Sequence, residues 1–208
     1  MSAWRMMVQY RVGLAAILIV TVLVALIPAI AEAAYNASGA VQYSERYWDA
    51  RNPKYPDFSS NCTNFVSQCM HEGGGIPFDV QGDSSWEWWW CYWDGREWSY
   101  TKNWTVASWC KGWLLGDGHG SSRGYWSYAQ PNSNSSITNG DIIFYDWTTD
   151  GTVDHASINC GWGTDETMTN YTGDLINQNT RDRHHAIWHL IPYNQNYKTT
   201  RVYAVKPY

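Results

Sequence analysis

The octapeptide Asn61-Cys62-Thr63-Asn64-Phe65-Val66-Ser67-Gln68 places a cysteine at the start of a helix. The residues before it, 59–61, are polar and suited to capping, and an apolar face follows over 65–70, so the spacing predicts a helix over 62–72. A thiol at a helix start lies among unpaired N–H groups at the positive end of the helix dipole, and both favour the nucleophilic thiolate. From this octapeptide alone, a buried structural cysteine or half of a disulfide fits equally well.

Working outward, residues 1–33 have the pattern of an export segment. Arg5 and Arg11 precede the apolar run Val12–Ile30, and small residues over 29–33 suit a cleavage site. An uncleaved membrane anchor is the alternative, because residues 12–30 approach the length of a spanning helix. In either case we expect residues 34–208 to lie outside the cytoplasm, secreted or attached to the membrane through residues 12–30.

Residues 34–208 are long enough for one domain with its own core. The net charge of −5 argues against nucleic acid as a partner, since phosphate binding needs a basic surface. Helical patterns come first and strand patterns follow, which predicts an α+β fold with N-terminal helices packed on an antiparallel sheet. We expect a monomer. The predicted helices cover 36–48, capped by Ser38, then 62–72 and 103–115, and the main predicted strands cover 141–145, 153–160, 175–180 and 201–205.

The chain contains five cysteines, an odd number for an exported protein. If Cys62 is a free nucleophile, the other four can form two bridges in any of three pairings. The sequence does not choose among these pairings. We take Cys91–Cys110 with Cys69–Cys160 as the working hypothesis.

A cysteine nucleophile needs a base, usually histidine, and a group that orients the base. His155 is the best placed of the six histidines, because it lies within a predicted strand that can aim its ring. A strand histidine that only bonds a backbone group is the alternative.

Several blocks of this sequence are similar to known cysteine hydrolases. Gly140-Asp141-Ile142-Ile143-Phe144-Tyr145, a short hairpin and His155-Ala156-Ser157-Ile158 resemble the histidine region of the NlpC/P60 and CHAP cysteine peptidases. The blocks Asn52-Pro53 through Phe58, Asn61 through Cys69 and Gly140 through His155 resemble more closely the family called the "putative amidase domain" (amidase type 6). This resemblance covers roughly residues 35–190. It implies a papain-like fold, cysteine-dependent amide hydrolysis in secreted bacterial proteins, and cell-wall peptide as the substrate.

The resemblance also suggests the third site residue. The family's third block resembles Ser-Gln-His-Thr, where this chain has Asn177-Gln178-Asn179-Thr180, so the resemblance implies that Asn179 orients His155 through its amide carbonyl. Asn177 and Asp182 are rivals for this role. A second departure is Asn61, where the family usually has Asp before the cysteine. The implied catalytic set is therefore Cys62, His155 and Asn179.

A metal site is a weaker interpretation of the sequence. His184, His185 and His189 lie close together, but there is no HExxH motif and no obvious further ligand. The sequence therefore predicts neither a metal nor a cofactor.

The tryptophan-rich segment 86–113 supports a rival function. The run Trp86-Glu87-Trp88-Trp89-Trp90 cannot point entirely inward, and exposed aromatic rings bind sugars or apolar partners. These rings would also suit a wall of the active-site groove. The rival to an amidase is thus a non-catalytic module that binds glycan or cell wall, with Cys62 structural. A further alternative is an acyl transferase that uses the same cysteine.

Overall fold

A computed structural model describes residues 34–82, 87–116, 118–126 and 136–208. The predicted export segment, residues 1–33, and Trp86 lie outside these ranges. Among the described residues, no helix has the length and apolar character needed to cross a bilayer.

The helices come first in the chain. Helix α1 spans Ala37–Tyr47, and α2 spans Cys62–Gln68 before it widens into a π-helical turn over Cys69–Gly73. The predicted cap of α1 is wrong, because the Asn36 side chain, rather than that of Ser38, accepts the hydrogen bond from the N–H of Gly39 at 3.0 Å. The predicted helix over 103–115 is two helices that meet at the extended residue Val106: α3 (Lys102–Thr105) and α4 (Ala107–Gly116).

Eight strands form two sheets in the described residues. Strands β1 (Cys91–Trp93) and β2 (Trp98–Tyr100) pair as a small antiparallel ribbon. The main sheet has six strands in the order β3-β8-β4-β5-β6-β7, and every neighbouring pair is antiparallel. The α+β prediction is therefore confirmed. The six strands are β3 (Gly120–Trp126), β4 (Ile142–Asp146), β5 (His155–Thr164), β6 (Thr172–Gln178), β7 (Arg183–Ile187) and β8 (Arg201–Pro207).

The core lies on both faces of the main sheet. Side chains alternate along a strand, so Ile142 and Phe144 of β4 face the helices while Ile143 and Tyr145 face the opposite side. The helix-side cluster includes Phe65, Val66, Met70, Trp104, Trp113 and Leu114, and the opposite cluster includes Ile176, Ile187, Trp188 and Val202. With both faces covered, β4 is buried along its whole length.

The predicted disulfides are not formed, since all five cysteines are free. Two of the thiols in the predicted pairs lie beside polar side chains. Cys110 of α4 lies against Ser67 of α2, and Cys160 of β5 lies near Glu45 of α1 and His185 of β7. The sequence could not show this, because the positions of these thiols are set by packing between distant elements.

A close approach between α1 and the turn after α2 generates a stability prediction. A Cβ added to Gly73 would lie 2.7 Å from the Cα of Ala40 and would overlap the Gly39 carbonyl oxygen. We expect Gly73→Ala to lower the free energy of unfolding by about 1–3 kcal/mol, because backbone atoms must move apart.

Gly112→Ala is the matched control, because nothing lies within 4 Å of its added Cβ on the exposed side of α4. This change should raise stability by about 0.5–1 kcal/mol through helix propensity. Urea unfolding of both variants measures the difference. Equal stability of the two variants would contradict the close approach between Gly73 and α1.

Candidate active site

Helix α2 and strand β5 each begin with a predicted site residue. Cys62 is the first residue of α2 and His155 is the first residue of β5, and both are largely buried. The His155 ring and the backbone of Ala156 lie close enough to the Cys62 thiol to lower its pKa through hydrogen bonding. Folding therefore brings the predicted cysteine and histidine into direct contact.

The surroundings of Cys62 favour its thiolate. Burial opposes ionisation and is the largest single influence on the thiol. The hydrogen bond and positive charge of His155, with smaller contributions from Ala156 and Thr63, outweigh it and lower the pKa of Cys62 to about 7. Thr63 Oγ1 lies 3.8 Å from the sulfur. A substantial fraction of the thiol is therefore ionised at neutral pH.

Gln178 fixes the orientation of the His155 ring. Its Oε1 lies 2.9 Å from His155 Nε2, while its Nε2 donates to the Arg181 carbonyl at 2.7 Å. The second contact fixes which end of the amide faces the ring, so the ring donates from Nε2 and its Nδ1 carries the lone pair. The Trp147 ring stacks on the imidazole with centroids 5.7 Å apart, which further restricts its rotation.

Strand pairing explains why Gln178 reaches the histidine. Strands β5 and β6 are antiparallel, so the start of β5 lies beside the end of β6, where Gln178 is the last residue. Sequence reasoning missed Gln178 and Trp147. The available signal for Gln178 was its place in the polar run 177–180, one position before the residue that we predicted.

The prediction that Asn179 contacts the ring is corrected by the structure. Its Oδ1 accepts from Asn61 Nδ2 at 2.8 Å, and its Nδ2 donates to the carbonyls of Tyr47 and Trp48. Gln178 is the last residue of β6 and Asn179 begins the turn that follows, so Asn179 faces α1 while Gln178 faces His155.

The two rivals for the third position also lie elsewhere. Asn177 donates to Ser44 and Glu45, and Asp182 pairs with Arg51 at 3.1 Å. Of these polar side chains at the end of β6, Gln178 therefore holds the orienting position.

A buried amide network fastens the start of α2 to the end of β6. Asn61 Oδ1 accepts from Asn64 Nδ2 at 2.8 Å, and the N–H of Asn61 donates to Thr180 Oγ1 at 2.6 Å. Thr180 has a φ of +82°, which is strained for a β-branched residue. Asn61 therefore positions the cysteine by linking the start of α2 to Thr180. As a neutral amide, it places no charge beside the sulfur.

The cysteine and histidine open into a cleft of about 500 Å³. Its floor is Cys62, His155 and Gln178, and its walls come from the loops at one end of the sheet. The other lining residues are Ser60, Trp147, Asp154, Thr180, Arg181, Arg183, Leu190, Tyr193, Asn194, Gln195 and Asn196. The only tryptophan among these lining residues is Trp147, so the described part of segment 86–113 does not form the wall that we predicted.

The tryptophan-rich segment divides between core and surface. Trp89, Trp104 and Trp113 are buried, and Trp89 stacks on Trp113 and packs at a tilt against Trp104. Trp93 is 52% exposed on β1, together with the exposed rings of Tyr92 and Tyr100 on the same ribbon. Core filling thus accounts for the first group and leaves an aromatic surface on the β1–β2 ribbon.

The pKa of Cys62 generates a prediction about thiol reactivity. The rate of alkylation by iodoacetamide should rise with pH around a midpoint near 7, because only the thiolate reacts. Burial raises the pKa of Cys91 and of Cys110 to about 12, so these thiols should stay unlabelled at neutral pH. Peptide mapping by mass spectrometry identifies the labelled residue.

His155→Ala supplies the control for this measurement. It removes the hydrogen bond and the charge but leaves the burial of Cys62, so the alkylation midpoint should move to higher pH. The same midpoint in both proteins would contradict the coupling between sulfur and ring.

Comparison with known proteins agrees with this geometry. Residues 34–203 match the family described as "putative amidase domain". Over 124 residues the chain is 39% identical to the uncharacterized protein YhbB of Bacillus subtilis (strain 168), a match that covers 60% of this chain and 36% of that protein. No solved structure matches the chain. Because the family match covers most of its length, the chain belongs to the "putative amidase domain" family, whose description indicates an amidase-like activity.

Proposed function

We propose that this protein is a secreted cysteine amidase of papain-like fold that hydrolyses amide bonds in bacterial cell-wall peptide. The observation that carries this proposal is the contact of Cys62 with His155, held by Gln178 at the floor of a cleft. Membership of an amidase-like family supports the reaction class. The export pattern of residues 1–33 supports a substrate outside the cytoplasm.

The papain-like part of the proposal rests on the order of the elements. A nucleophilic cysteine at a helix start, followed by a histidine on a strand and an amide side chain on the next strand, is the arrangement of Cys-His-Asn enzymes. Here the amide is that of Gln178.

The reaction follows from these positions. Nδ1 of His155 takes the Cys62 proton, and the thiolate attacks the amide carbonyl carbon to form a tetrahedral oxyanion. As the carbon–nitrogen bond breaks, the leaving amine takes the proton back from the imidazolium, which leaves a thioester on Cys62. Water then attacks the thioester with His155 again as base, and the carboxylic acid and free thiol are released.

Backbone geometry supplies stabilisation for the oxyanion. Cys62 is the first residue of α2, so its N–H has no acceptor within the helix. We assign this N–H to the oxyanion, because a fixed donor at the nucleophile gains strength as charge develops on the substrate oxygen.

The charge of the cleft suggests which peptides it accepts. Arg181 and Arg183 line the wall near the histidine, and Arg183 is held over the Tyr193 ring at 4.4 Å and by a hydrogen bond to the Arg181 carbonyl. Guanidinium groups bind carboxylates through paired hydrogen bonds. The substrate should therefore carry a carboxylate near the scissile amide, as acidic cell-wall peptides do.

The aromatic ribbon favours a second role in glycan binding. Tyr92, Trp93 and Tyr100 expose their rings on β1–β2, and Tyr100 packs edge-on against Phe58, near the start of α2. Such rings can stack on sugar faces. Loss of cell-wall binding in Trp93→Ala with peptide hydrolysis intact would separate this role from catalysis.

Acyl transfer remains an alternative outcome for the same nucleophile. An amine in place of water would attack the same thioester on Cys62. Mass analysis of the products formed with an added amine distinguishes the two reactions.

Replacement of the nucleophile tests the enzyme assignment. Cys62→Ala should lower the release of amino groups from purified cell wall by at least about 1,000-fold, because the covalent route is lost. Circular dichroism and the thermal midpoint should stay close to those of the wild type. Cys91→Ala removes another buried thiol and is the matched control, which should keep its activity.

The outcomes separate the reaction from the substrate. Unchanged turnover in Cys62→Ala would overturn the cysteine mechanism. Wild-type cleavage of a soluble acidic peptide amide without release of amines from cell wall would overturn the substrate assignment alone.

A paired substitution distinguishes the orienting residue from its neighbour. Gln178→Ala should lower kcat by about 10-fold to 100-fold, because the His155 ring loses its orientation. Asn179→Ala should instead lower the free energy of unfolding by about 1–3 kcal/mol, because it leaves the Asn61 amide unpaired. Steady-state kinetics and urea unfolding of both variants measure these effects.

Gln178→Asn provides a further check on this assignment. It retains the amide but shortens the side chain, so it should recover part of the lost kcat. A larger kcat loss in Asn179→Ala than in Gln178→Ala would contradict the assignment.

A further inference from the structure

A second cluster of ligand-type side chains lies where α1 meets the β6–β7 hairpin. The rings of His184 and His185 stack with centroids 3.7 Å apart. The Glu45 carboxylate spans one edge of this stack, with its oxygens 2.7 Å from His184 Nε2 and 3.0 Å from His185 Nε2. Glu166 spans the other edge, 2.9 Å from His184 Nδ1 and 2.8 Å from His185 Nδ1.

This stack depends on an unusual backbone conformation. Consecutive side chains of a regular strand point to opposite faces. His185 has a φ of +46°, which few residues other than glycine adopt, and the β6–β7 pairing contains a register shift between Ile176 and Gln178. The irregular backbone brings both rings to one side, and its cost points to a function for the pair.

Hydrogen bonding alone does not satisfy this arrangement when the rings are neutral. Carboxylates only accept hydrogen bonds, and a neutral imidazole has one N–H and one lone pair. All four ring nitrogens contact carboxylate oxygens, so two lone pairs would face negative oxygens. Protonation of both rings would remove this conflict but would stack two positive charges at 3.7 Å. A cation bound at one edge removes both difficulties.

We propose that His185 Nε2, the Glu45 carboxylate and the Cys160 thiolate bind one zinc-class divalent ion, with a water as the fourth ligand. Ligand atoms of Glu45, Cys160 and His185 lie within 4.8 Å of one another. Nitrogen, oxygen and sulfur donors in a set of four suit tetrahedral zinc. Bonds of about 2.0–2.1 Å place neighbouring N and O ligands about 3.3 Å apart on such an ion, so the Glu45 edge needs to open by only a few tenths of an ångström.

The neighbouring contacts fit this choice of edge. With the His185 Nε2 lone pair on the ion, its Nδ1–H donates to Glu166, which is the carboxylate–histidine–metal arrangement that fixes the tautomer. His184 stacks on this ring and bridges the same two carboxylates. Asn177 Nδ2 donates to Glu45 Oε1 at 2.8 Å, and Asn177 Oδ1 accepts from the N–H of His185. These contacts orient the carboxylate and the irregular backbone together.

The ion would link parts of the chain that are distant in sequence. Its ligands come from α1, β5 and β7, and β7 pairs with β6, which ends at Gln178. Binding should therefore raise the resistance of the fold to heat, since an ion that binds only the folded state stabilises it. This inference replaces the expectation from sequence that no metal is bound, and it does not depend on the proposed catalysis.

Zinc titration of the full chain tests the proposal. The titration is run by competition with a chromogenic zinc indicator in the Cys62→Ala background, so that the active-site thiol cannot contribute. We expect one equivalent of zinc to bind and the thermal midpoint to rise. His185→Ala and the nearly isosteric Glu45→Gln should each weaken binding by 100-fold or more, and Glu166→Gln should weaken it about 10-fold to 100-fold.

Two further measurements sharpen the assignment. His119→Ala is the matched control, because His119 pairs with Asp79 at 3.2 Å and stacks on Trp113, away from the cluster's ligands. Its zinc affinity should be unchanged. With Co²⁺ in place of zinc, the absorption spectrum should contain a thiolate charge-transfer band that Cys160→Ser abolishes.

Several results would overturn the proposal. One is the absence of stoichiometric zinc binding. Another is a zinc affinity that is unchanged in folded Glu45→Gln and His185→Ala. A larger loss of affinity in Glu166→Gln than in Glu45→Gln would overturn the placement of the ion at the Glu45 edge.

Discussion

The contact between Cys62 and His155 is the interaction on which the proposed function of this fold depends. Each residue begins its own element, α2 or β5, and the packing of these elements on the helix-side core brings the side chains together. Burial alone would raise the pKa of the thiol, as it does for Cys110. The histidine reverses this effect at Cys62, so one contact leaves a buried thiol partly ionised at neutral pH.

Buried amides hold this contact in place. Asn61 links the start of α2 to Asn179 and Thr180 at the end of β6, and the intervening Gln178 orients the histidine. Adjacent residues thus perform two tasks, because the strand ends at Gln178 and the turn that begins at Asn179 directs its side chain toward α1. A network of this kind specifies position strongly, since each unmade hydrogen bond in the interior carries a large cost.

The sequence predicted the α+β fold, and it brought out Cys62 and His155 because each lies in a recognisable local pattern. It did not predict that Gln178 rather than Asn179 contacts the ring. Which side chain at the end of β6 faces the ring depends on how β6 pairs with its neighbours and on the register shift between β6 and β7. The predicted disulfides were wrong because they were chosen without knowledge of the packing. The histidine cluster was discounted because Glu45, Cys160 and Glu166 are distant in sequence and the φ of His185 is irregular.

The central claim is that the sulfur of Cys62 performs the chemistry, and it is tested most directly by correlating labelling with activity. The protein is alkylated in steps at neutral pH, and the fraction of Cys62 that is modified is measured by peptide mapping alongside amide hydrolysis in the same samples. Activity should fall in direct proportion to the labelled fraction and reach zero when Cys62 is fully modified. Hydrolysis that persists with every Cys62 blocked would contradict the account.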